Sequence, residues 1–321
     1  MTKLLPISIL ITSFLFSSEW FFSENNPWEI NTDPRSSALG GVDLYNYSEF
    51  NSKEIDSNIV GIFNSRMFNG IIQFNNIYYN KKIESKTLLG NTFNKIKFGF
   101  FNRSIENIEN TSLLWNSELG NEPTLSDLNY DLIEYYDHRD IGLSIFFPFS
   151  NFIGDFGVDI RSIFSKIDIY KANSLNLDFM YFKKIDDNLS IMTSINNIYS
   201  YKKWSNKTSE KFYPALEILT HLKIKRTNFF AEVNNIYFNK NFLTDQLDIF
   251  DNIKLGVEHR INDMLLLRLG YSEGYQTYGF GLIVNSFIFN YSYLKHTNLD
   301  FSNQFSIAYL IDNKQGERCE K

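Results

Sequence analysis

The sequence predicts an all-β protein, a transmembrane antiparallel β-barrel of about fourteen strands. Three observations lead to this prediction. The chain begins with an apolar stretch typical of an export signal. Aromatic residues make up 17% of its 321 residues, although 21% are charged. From residue 139 onward hydrophobicity alternates with a period of two, the pattern of strands with one apolar and one polar face.

Residues 1–18 are predicted to be a signal peptide. Lys3 precedes an uncharged, mostly apolar run from Leu4 to Phe16, and Ser17 and Ser18 follow. The run is too short to cross a bilayer, which takes about 18 to 20 apolar residues. A buried or anchoring N-terminal helix is the alternative. No later segment is long and apolar enough for a spanning helix, so strands are expected to carry the chain through the membrane.

The predicted barrel covers residues 57–311, and residues 312–321 form a C-terminal tail. The stretch LLLRLGYS alternates between an apolar face and a face that contains Arg268 and Ser272, and TYGFGLIVN, SFIFNYSYLK and QFSIAYL repeat the pattern. An even strand number is expected when both barrel ends lie on the periplasmic side. Residues 104–138 and 200–212 lack alternation and are predicted to be long loops.

Charged side chains occupy the second face of these strands. Both signs occur, so they can pair across a watery lumen. A soluble β-sandwich would also alternate, and its outer face could carry the charges without a desolvation cost. The predicted export signal and the many aromatic strands favour the barrel, because outer-membrane barrels carry girdles of aromatic residues at the two membrane interfaces. The predicted luminal charges are Asp159, Arg161, Asp178, Glu217, Lys223, Glu232, Glu258, Arg260 and Arg268.

One motif suggests catalysis, and its context argues against it. GYSEG, from Gly270 to Gly274, matches the G-x-S-x-G pattern with Ser272 as the nucleophile. That pattern must lead from a strand into a helix, whereas here another strand follows, so the stretch is predicted to be a hairpin turn. The chain is therefore predicted not to be an enzyme and to have no catalytic residue.

Cofactors, metals and nucleic acids are not expected. Cys319 is the only cysteine, and the four histidines lack the spacing of a zinc site. The Gly279–Gly281 stretch lacks the later glycine and the helix of a nucleotide-binding turn, and its glycines are expected to allow bending or close packing inside the barrel. A net charge of −6 without a long basic cluster argues against nucleic-acid binding.

The N-terminal stretch PRSSALGGVDL resembles the Arg-x-x-Ala-Leu-Gly-Gly signature of the PorV/PorQ family, which belongs to the FadL-like barrel superfamily. The matching residues are Arg35, Ala38, Leu39, Gly40 and Gly41. The C-terminal hairpins are also similar to that family at Glu258, Arg268, Gly270, Tyr271, Gly279, Gly281 and Tyr291. The chain departs from the family after the signature, where it has NYSEFNSKEIDSN and no proline.

The resemblance implies that residues 19–56 form a hatch-like segment in the barrel mouth. Arg35 would pair with a luminal carboxylate, and Gly40 and Gly41 would let the backbone pass close to the wall. The alternative is an ordinary N-terminal extension that caps the barrel and has no role in transport.

The resemblance also implies a bacterial outer-membrane location and two kinds of function. The first is an accessory or substrate-handling role in type IX secretion, with a protein-binding rim around Trp115 and Trp204. The second is FadL-like transport of hydrophobic small molecules through an apolar lumen pocket. A structural barrel without transport is the third possibility. The expected partners are outer-membrane lipid and either secretion-system proteins or a hydrophobic small molecule. Strand parity gives the pocket candidates Phe101, Phe146, Met180, Met192 and Ile288.

Overall fold

The structure is a closed antiparallel β-barrel of 14 strands. The computed structural model describes residues 19–21, 27–28, 30, 33–51, 58–88, 91–111, 114, 129–237, 252–272, 274–297 and 299–311. The predicted signal peptide and C-terminal tail lie outside these residues. The predicted fold class and strand number are confirmed.

The wall strands follow one another around the barrel in chain order. They are β2 to β8 and β10 to β16, while β1 and β9 form a short ribbon at one end of β8. The bounds are β1 Glu19–Phe21, β2 Asn58–Met67, β3 Ile72–Leu88, β4 Asn91–Asn110, β5 Glu134–Ser150, β6 Asp155–Ile167, β7 Tyr170–Lys184, β8 Leu189–Trp204, β9 Ser209–Phe212, β10 Ala215–Ile224, β11 Thr227–Tyr237, β12 Ile253–Arg260, β13 Leu265–Ser272, β14 Tyr275–Val284, β15 Phe287–His296 and β16 Ser302–Ile311.

The barrel closes where the last strand meets the first. β16 pairs antiparallel with β2, with Ile311 opposite Asn58. β8 pairs with both β7 and β10, so the ribbon at its end does not interrupt the wall. Closure pairs each wall strand on both sides, which is the only way a sheet can lie in lipid without unpaired edge groups.

Apolar side chains cover the outside of the wall, and polar ones face inward. On β13, Leu267, Leu269 and Tyr271 are about half exposed, whereas Arg268 between them is only 3% exposed. The same alternation runs along β6, β7 and β16. An apolar exterior on a closed barrel is the surface that lipid requires, so the fold is that of a transmembrane barrel of the bacterial outer-membrane class.

The two predicted long loops are shorter than the sequence suggested. β4 extends to Asn110 and β5 begins at Glu134, so both ends of the predicted 104–138 loop are strand. Likewise β8 extends to Trp204, and β9 occupies Ser209–Phe212. Strands that project beyond the bilayer have water on both sides, so they need no apolar face and lose the alternation that marks them.

Residues 33–51 lie inside the barrel and are named here the luminal segment. It contains two short helices, α1 (Pro34–Ser37) and α2 (Leu44–Asn51). α1 packs against β14, β15 and β16, and α2 packs against β5. Ala38, Leu39 and Val42 between the helices are fully buried. The main core therefore forms between the luminal segment and the barrel wall.

Within the described residues, no helix has the length and hydropathy that a membrane crossing would need.

The lipid-facing side of β13 can be tested at Leu269, which lies near the middle of its strand. Leu269→Arg should lower the free energy of unfolding by about 2–4 kcal/mol, because a charge near the bilayer midplane is poorly solvated. The measurement is urea unfolding of the refolded barrel in lipid vesicles. Leu269→Phe is the matched control and should change stability little. Equal stabilities for both variants would contradict a lipid-facing β13.

Candidate functional site

The luminal segment begins with a helix that its own sequence specifies. Asp33 is the N-cap of α1: its carboxylate accepts hydrogen bonds from the backbone N–H of Arg35 (3.3 Å) and of Ser36 (3.1 Å). Pro34 follows at the first helical position, where its missing N–H costs nothing and its fixed φ suits the helix. The DPRSS part of the sequence thus forms a single capped turn that holds Arg35 in place.

Gly40 and Gly41 then turn the chain along the wall. Their φ angles are +76° and +81°, in the left-handed region that residues with a Cβ rarely adopt. The Gly40 N–H donates to Thr277 Oγ1 at 2.9 Å. A Cβ atom on Gly40 would lie 2.5 Å from the carbonyl oxygen of Tyr271, so backbone here touches backbone of the wall.

Three wall glycines receive this turn, and together they are named the glycine seat: Gly256 on β12, Gly270 on β13 and Gly279 on β14. A Cβ atom on Gly270 would lie 2.0 Å from the backbone nitrogen of Gly40. A Cβ on Gly256 would meet Leu39 at 2.7 Å, and one on Gly279 would meet the Cβ of Ala38 at 2.5 Å. Bare backbone on three adjacent strands therefore gives the luminal segment room to lie flat on the wall.

Arg35 binds the wall beside the glycine seat. Its Nη2 donates to Glu258 Oε1 at 2.9 Å, and its Nε donates to Glu258 Oε2 at 3.1 Å. Arg268 Nε donates to the same Oε2 at 2.7 Å, and Arg268 Nη1 donates to Asn290 Oδ1. The Glu258 carboxylate is 2% exposed and lies between two guanidinium groups, one from the luminal segment and one from the wall.

A second polar connection starts from α2. The hydroxyl of Tyr47 lies 2.7 Å from both Ser190 Oγ and His221 Nδ1. His221 Nε2 is 3.1 Å from Asn228 Oδ1, and the Asn228 amide donates to Glu258 Oε1 at 3.2 Å. Both halves of the luminal segment are thereby joined to Glu258. Sequence reasoning did not find Tyr47 or Asn228, because nothing in their local pattern marks them as partners.

The other predicted luminal charges form two further clusters. Arg161 bonds Asp159 through Nε and Asp178 through Nη2, both at 2.9 Å. On β11, Glu232 accepts from Lys254 Nζ at 2.7 Å and from the backbone N–H of Asp43 at 2.6 Å. Ser194 donates to Glu217 at 3.2 Å. Of the nine charges expected in the lumen, all are buried except Lys223, which is exposed, and Arg260, which is half-buried; both lie near strand ends.

The five pocket candidates differ in burial and in the clusters to which they belong. Phe101, Phe146, Met180 and Met192 are buried, as their strand parity requires, whereas Ile288 is half-buried. Met192 belongs to a cluster with Leu39, Val42, Leu44, Tyr47, Phe182, Leu219 and Phe230, and Phe101 to a separate one with Phe74 and Ile163. Met192 and Phe101 thus belong to two separate clusters, and a pocket shared by all five residues stays a prediction.

A cavity of about 120 Å³ does lie between the luminal segment and the wall. Phe101 is the one pocket candidate that lines it, together with Trp28, Ile30 and Phe74. Trp28 packs edge-on against Phe101 with ring centroids 4.5 Å apart. The rest of the lining is mostly polar: Asp33, Gly41, Asp43, Tyr45, Asn46, Asn76, Ser144, Asp159, Arg161, Asn196, Glu217, Asn234 and Lys254.

The motif around Ser272 is a hairpin. Ser272 is the last residue of β13 and pairs with Tyr275, the first residue of β14, while Gly274 has a φ of +78°. A strand follows where a nucleophile elbow needs a helix. In the described ranges, no group of three His, Cys, Asp or Glu side chains could hold a metal ion.

Among solved structures, the chain is similar in fold to outer-membrane channels. The toluene transporter TodX of Pseudomonas putida aligns at 10% identity over 92% of this chain and 98% of that chain, with a TM-score of 0.51. A TodX mutant described as a monoaromatic hydrocarbon channel aligns at 10% identity over 78% and 87%, with a TM-score of 0.44. The porin KdgM aligns at 6% identity over 79% and 99%, with a TM-score of 0.31.

In comparisons of sequence, no protein-family model and no curated protein matches the chain. The likeness to TodX is therefore one of fold alone. The narrower assignment to PorV/PorQ gains no support from it. Fold and lumen together define a transmembrane β-barrel whose N-terminal residues occupy part of the lumen.

The glycine seat can be tested with Gly270→Ala. The new Cβ has no room beside the Gly40 backbone, so the luminal segment should leave the wall while the barrel stays closed. Limited trypsin digestion should then cleave at Arg35, and the folded barrel should keep its heat-modifiable mobility on gels. Leu269→Ala, one residue away on the lipid side, is the control and should leave Arg35 protected. Protection of Arg35 in both variants would contradict the proposed contact.

The ion pairs at Glu258 predict an order of stabilities. Glu258→Gln leaves Arg35 and Arg268 facing each other without a carboxylate and should cost about 3 kcal/mol. Arg35→Ala keeps the Arg268–Glu258 pair and removes a partly exposed side chain, so about 1 kcal/mol is expected. Urea unfolding followed by tryptophan fluorescence measures both. Arg139→Ala, which breaks an exposed pair with Asp137, should be nearly neutral. A greater loss of stability for Arg35→Ala than for Glu258→Gln would contradict this account of the Glu258 ion pairs.

Proposed function

We propose that the chain is an outer-membrane channel that admits small hydrophobic molecules, the FadL-like alternative among the expected functions, and that it acts without catalysis. The observation that carries this proposal is the cavity between the luminal segment and the wall. One side of it is formed by Trp28, Phe74 and Phe101, inside a closed barrel whose fold is like that of a toluene transporter.

The size of the cavity supports a small solute. An apolar cavity of about 150 Å³ accommodates benzene in another protein, and the cavity here is about 120 Å³. One aromatic ring or a short alkyl chain is therefore the scale of molecule that it suits. The aromatic side chains give such a molecule apolar contact, and edge-to-face ring packing adds to the attraction.

The filling of the lumen argues against a wide aqueous pore. The luminal segment contributes fully buried residues at Ala38, Leu39 and Val42, and it is bonded to the wall through Arg35 and Tyr47. A solute would therefore pass by way of the cavity, beside the luminal segment. If the luminal segment only capped the barrel and nothing were transported, no cavity between the luminal segment and the wall would be needed.

Type IX secretion stays a prediction from the resemblance. Trp115, one of the two expected rim residues, lies outside the described residues. Trp204 is half-buried: its Nε1 donates to Glu210 at 2.6 Å, and Lys202 lies 4.4 Å from its ring centroid. An indole held in this way within its own chain offers less surface to a secreted protein than a free rim tryptophan would.

Uptake of labelled toluene by Gram-negative cells that produce the protein tests the proposal. Ser144 lines the cavity, so Ser144→Phe should fill it with a ring and reduce uptake several-fold. Leu143→Phe is the matched control, because Leu143 is the neighbouring residue on β5 and is 48% exposed on the lipid side. Both variants must show heat-modifiable mobility. Equal uptake by wild type, both variants and cells without the protein would refute transport.

A further inference from the structure

The polar side of the cavity has an excess of negative charge. It is lined by the carboxylates of Asp33, Asp43, Asp159 and Glu217 and by two cations, Arg161 and Lys254. Each cation is already bonded to a carboxylate behind the lining: Arg161 to Asp178 at 2.9 Å and Lys254 to Glu232 at 2.7 Å. Arg161 also bonds Asp159 at 2.9 Å. On the lining itself, four carboxylates thus outnumber two cations.

In the luminal segment, the pKa of the Asp43 carboxyl is raised. Burial raises the pKa of the Asp43 carboxyl, and the neighbouring Glu232 carboxylate raises it further. Arg161, Lys254 and Lys97 act in the opposite direction and do not cancel this rise in the pKa. A positively charged group in the cavity would relieve the repulsion.

Three lining residues have buried acceptor oxygens that lack a partner among the described residues: Asn46 Oδ1, Asn76 Oδ1 and Asp159 Oδ1. Their residues are 1%, 7% and 2% exposed. The Asp159 oxygen is the decisive one, because an ionised carboxylate only accepts hydrogen bonds, whereas an asparagine amide can turn over. Such buried oxygens require a hydrogen-bond donor.

Aromatic side chains line the same cavity as these oxygens, and Asn76 is the cross-strand partner of Phe101. Trp28 and Phe101 pack with centroids 4.5 Å apart, and Phe74 lies 6.1 Å from Phe101. Aromatic faces attract cations as well as apolar groups. Arg161 shows this locally, since its guanidinium carbon lies 5.7 Å from the Trp28 ring centroid.

We propose that the cavity binds a small organic cation, a primary ammonium group on a body of about one aromatic ring. The ammonium group would donate to Asp159 and the neighbouring asparagine oxygens, and the ring would pack against Trp28 and Phe101. This inference rests on the proposed function and narrows its substrate class from hydrophobic molecules in general to amines. A neutral hydrocarbon would fill the aromatic side but leave the acceptor oxygens unpaired.

Binding can be measured with benzylamine, which is protonated at pH 7, against neutral benzyl alcohol and anionic benzoate. The reporter is the fluorescence of Trp28 in a full-length barrel with Trp20→Phe, Trp115→Phe and Trp204→Phe, refolded in detergent. Benzylamine should bind about tenfold more tightly than benzyl alcohol, because its charge adds to ring contacts that both share. Benzoate should not bind.

The variant that isolates the charge is Asp159→Asn. It should reduce the affinity for benzylamine to that for benzyl alcohol and leave the alcohol unaffected. Asp137→Asn, which removes an exposed carboxylate on β5, is the matched control and should change neither. Asn76→Leu provides a second test if Asp159→Asn does not fold. It removes an acceptor without changing the charge and should weaken benzylamine binding several-fold.

The outcomes separate this inference from the proposed function. If benzyl alcohol binds as tightly as benzylamine while toluene uptake is observed, the preference for amines is overturned and the hydrophobic channel stands. If benzylamine binds selectively but toluene does not enter cells, the cavity is an amine site and hydrocarbon transport fails. Absence of binding by every probe would overturn the amine site.

Discussion

Glu258 is the residue on which the arrangement of the lumen depends. Its carboxylate is almost completely buried and accepts hydrogen bonds from Arg35 of the luminal segment, from Arg268 of the next strand and from Asn228 of the preceding one. A buried carboxylate is stable only when it is paired and its oxygens are satisfied. The wall alone supplies one cation, and the luminal segment supplies the second. The luminal segment and the barrel wall are therefore joined through one shared carboxylate.

Shape complementarity makes that ion pair possible. The glycine seat removes side chains from three adjacent strands at the place where Ala38, Leu39 and Gly40 lie on the wall. The positive φ angles of Gly40 and Gly41 then direct the chain toward α2. Glycines on both surfaces allow backbone to approach backbone, which brings Arg35 within hydrogen-bond distance of Glu258. The close contact needs both the Gly40–Gly41 turn and the glycine seat, because a Cβ on either surface would separate the two backbones.

The same packing creates the cavity and decides its character. Residues of the luminal segment contribute Asp33, Asp43 and Asn46 to its lining, while the wall contributes Phe74, Phe101 and Asp159. The wall strands carry both polar and aromatic side chains inward here, so the cavity is lined by both kinds of residue. Its proposed roles, admission of small hydrophobic molecules and preference for an ammonium group, follow from this mixed lining.

Sequence periodicity determined the strands, and the export signal with the many aromatic strands favoured a barrel over a sandwich. Alternation in β13 to β16 places leucine and aromatic side chains on one face and residues such as Arg268 on the other, as a barrel between lipid and a polar lumen requires. The family resemblance, rather than periodicity, led to the expectation that Gly40 and Gly41 approach the wall, and the capped turn at Asp33 was not predicted. The ends of β4, β5 and β8 were also not predicted, since the sequence does not alternate regularly there.

Tertiary structure alone decided which luminal residues meet. Arg35 is 223 positions from Glu258, and Tyr47 is 174 positions from His221. Strand parity states that Phe101 and Met192 point inward, yet it carries no information about their position around the barrel, so it could not separate them into two clusters. Parity is a property of one strand, whereas a partner across the lumen depends on closure and on the path of the luminal segment through it.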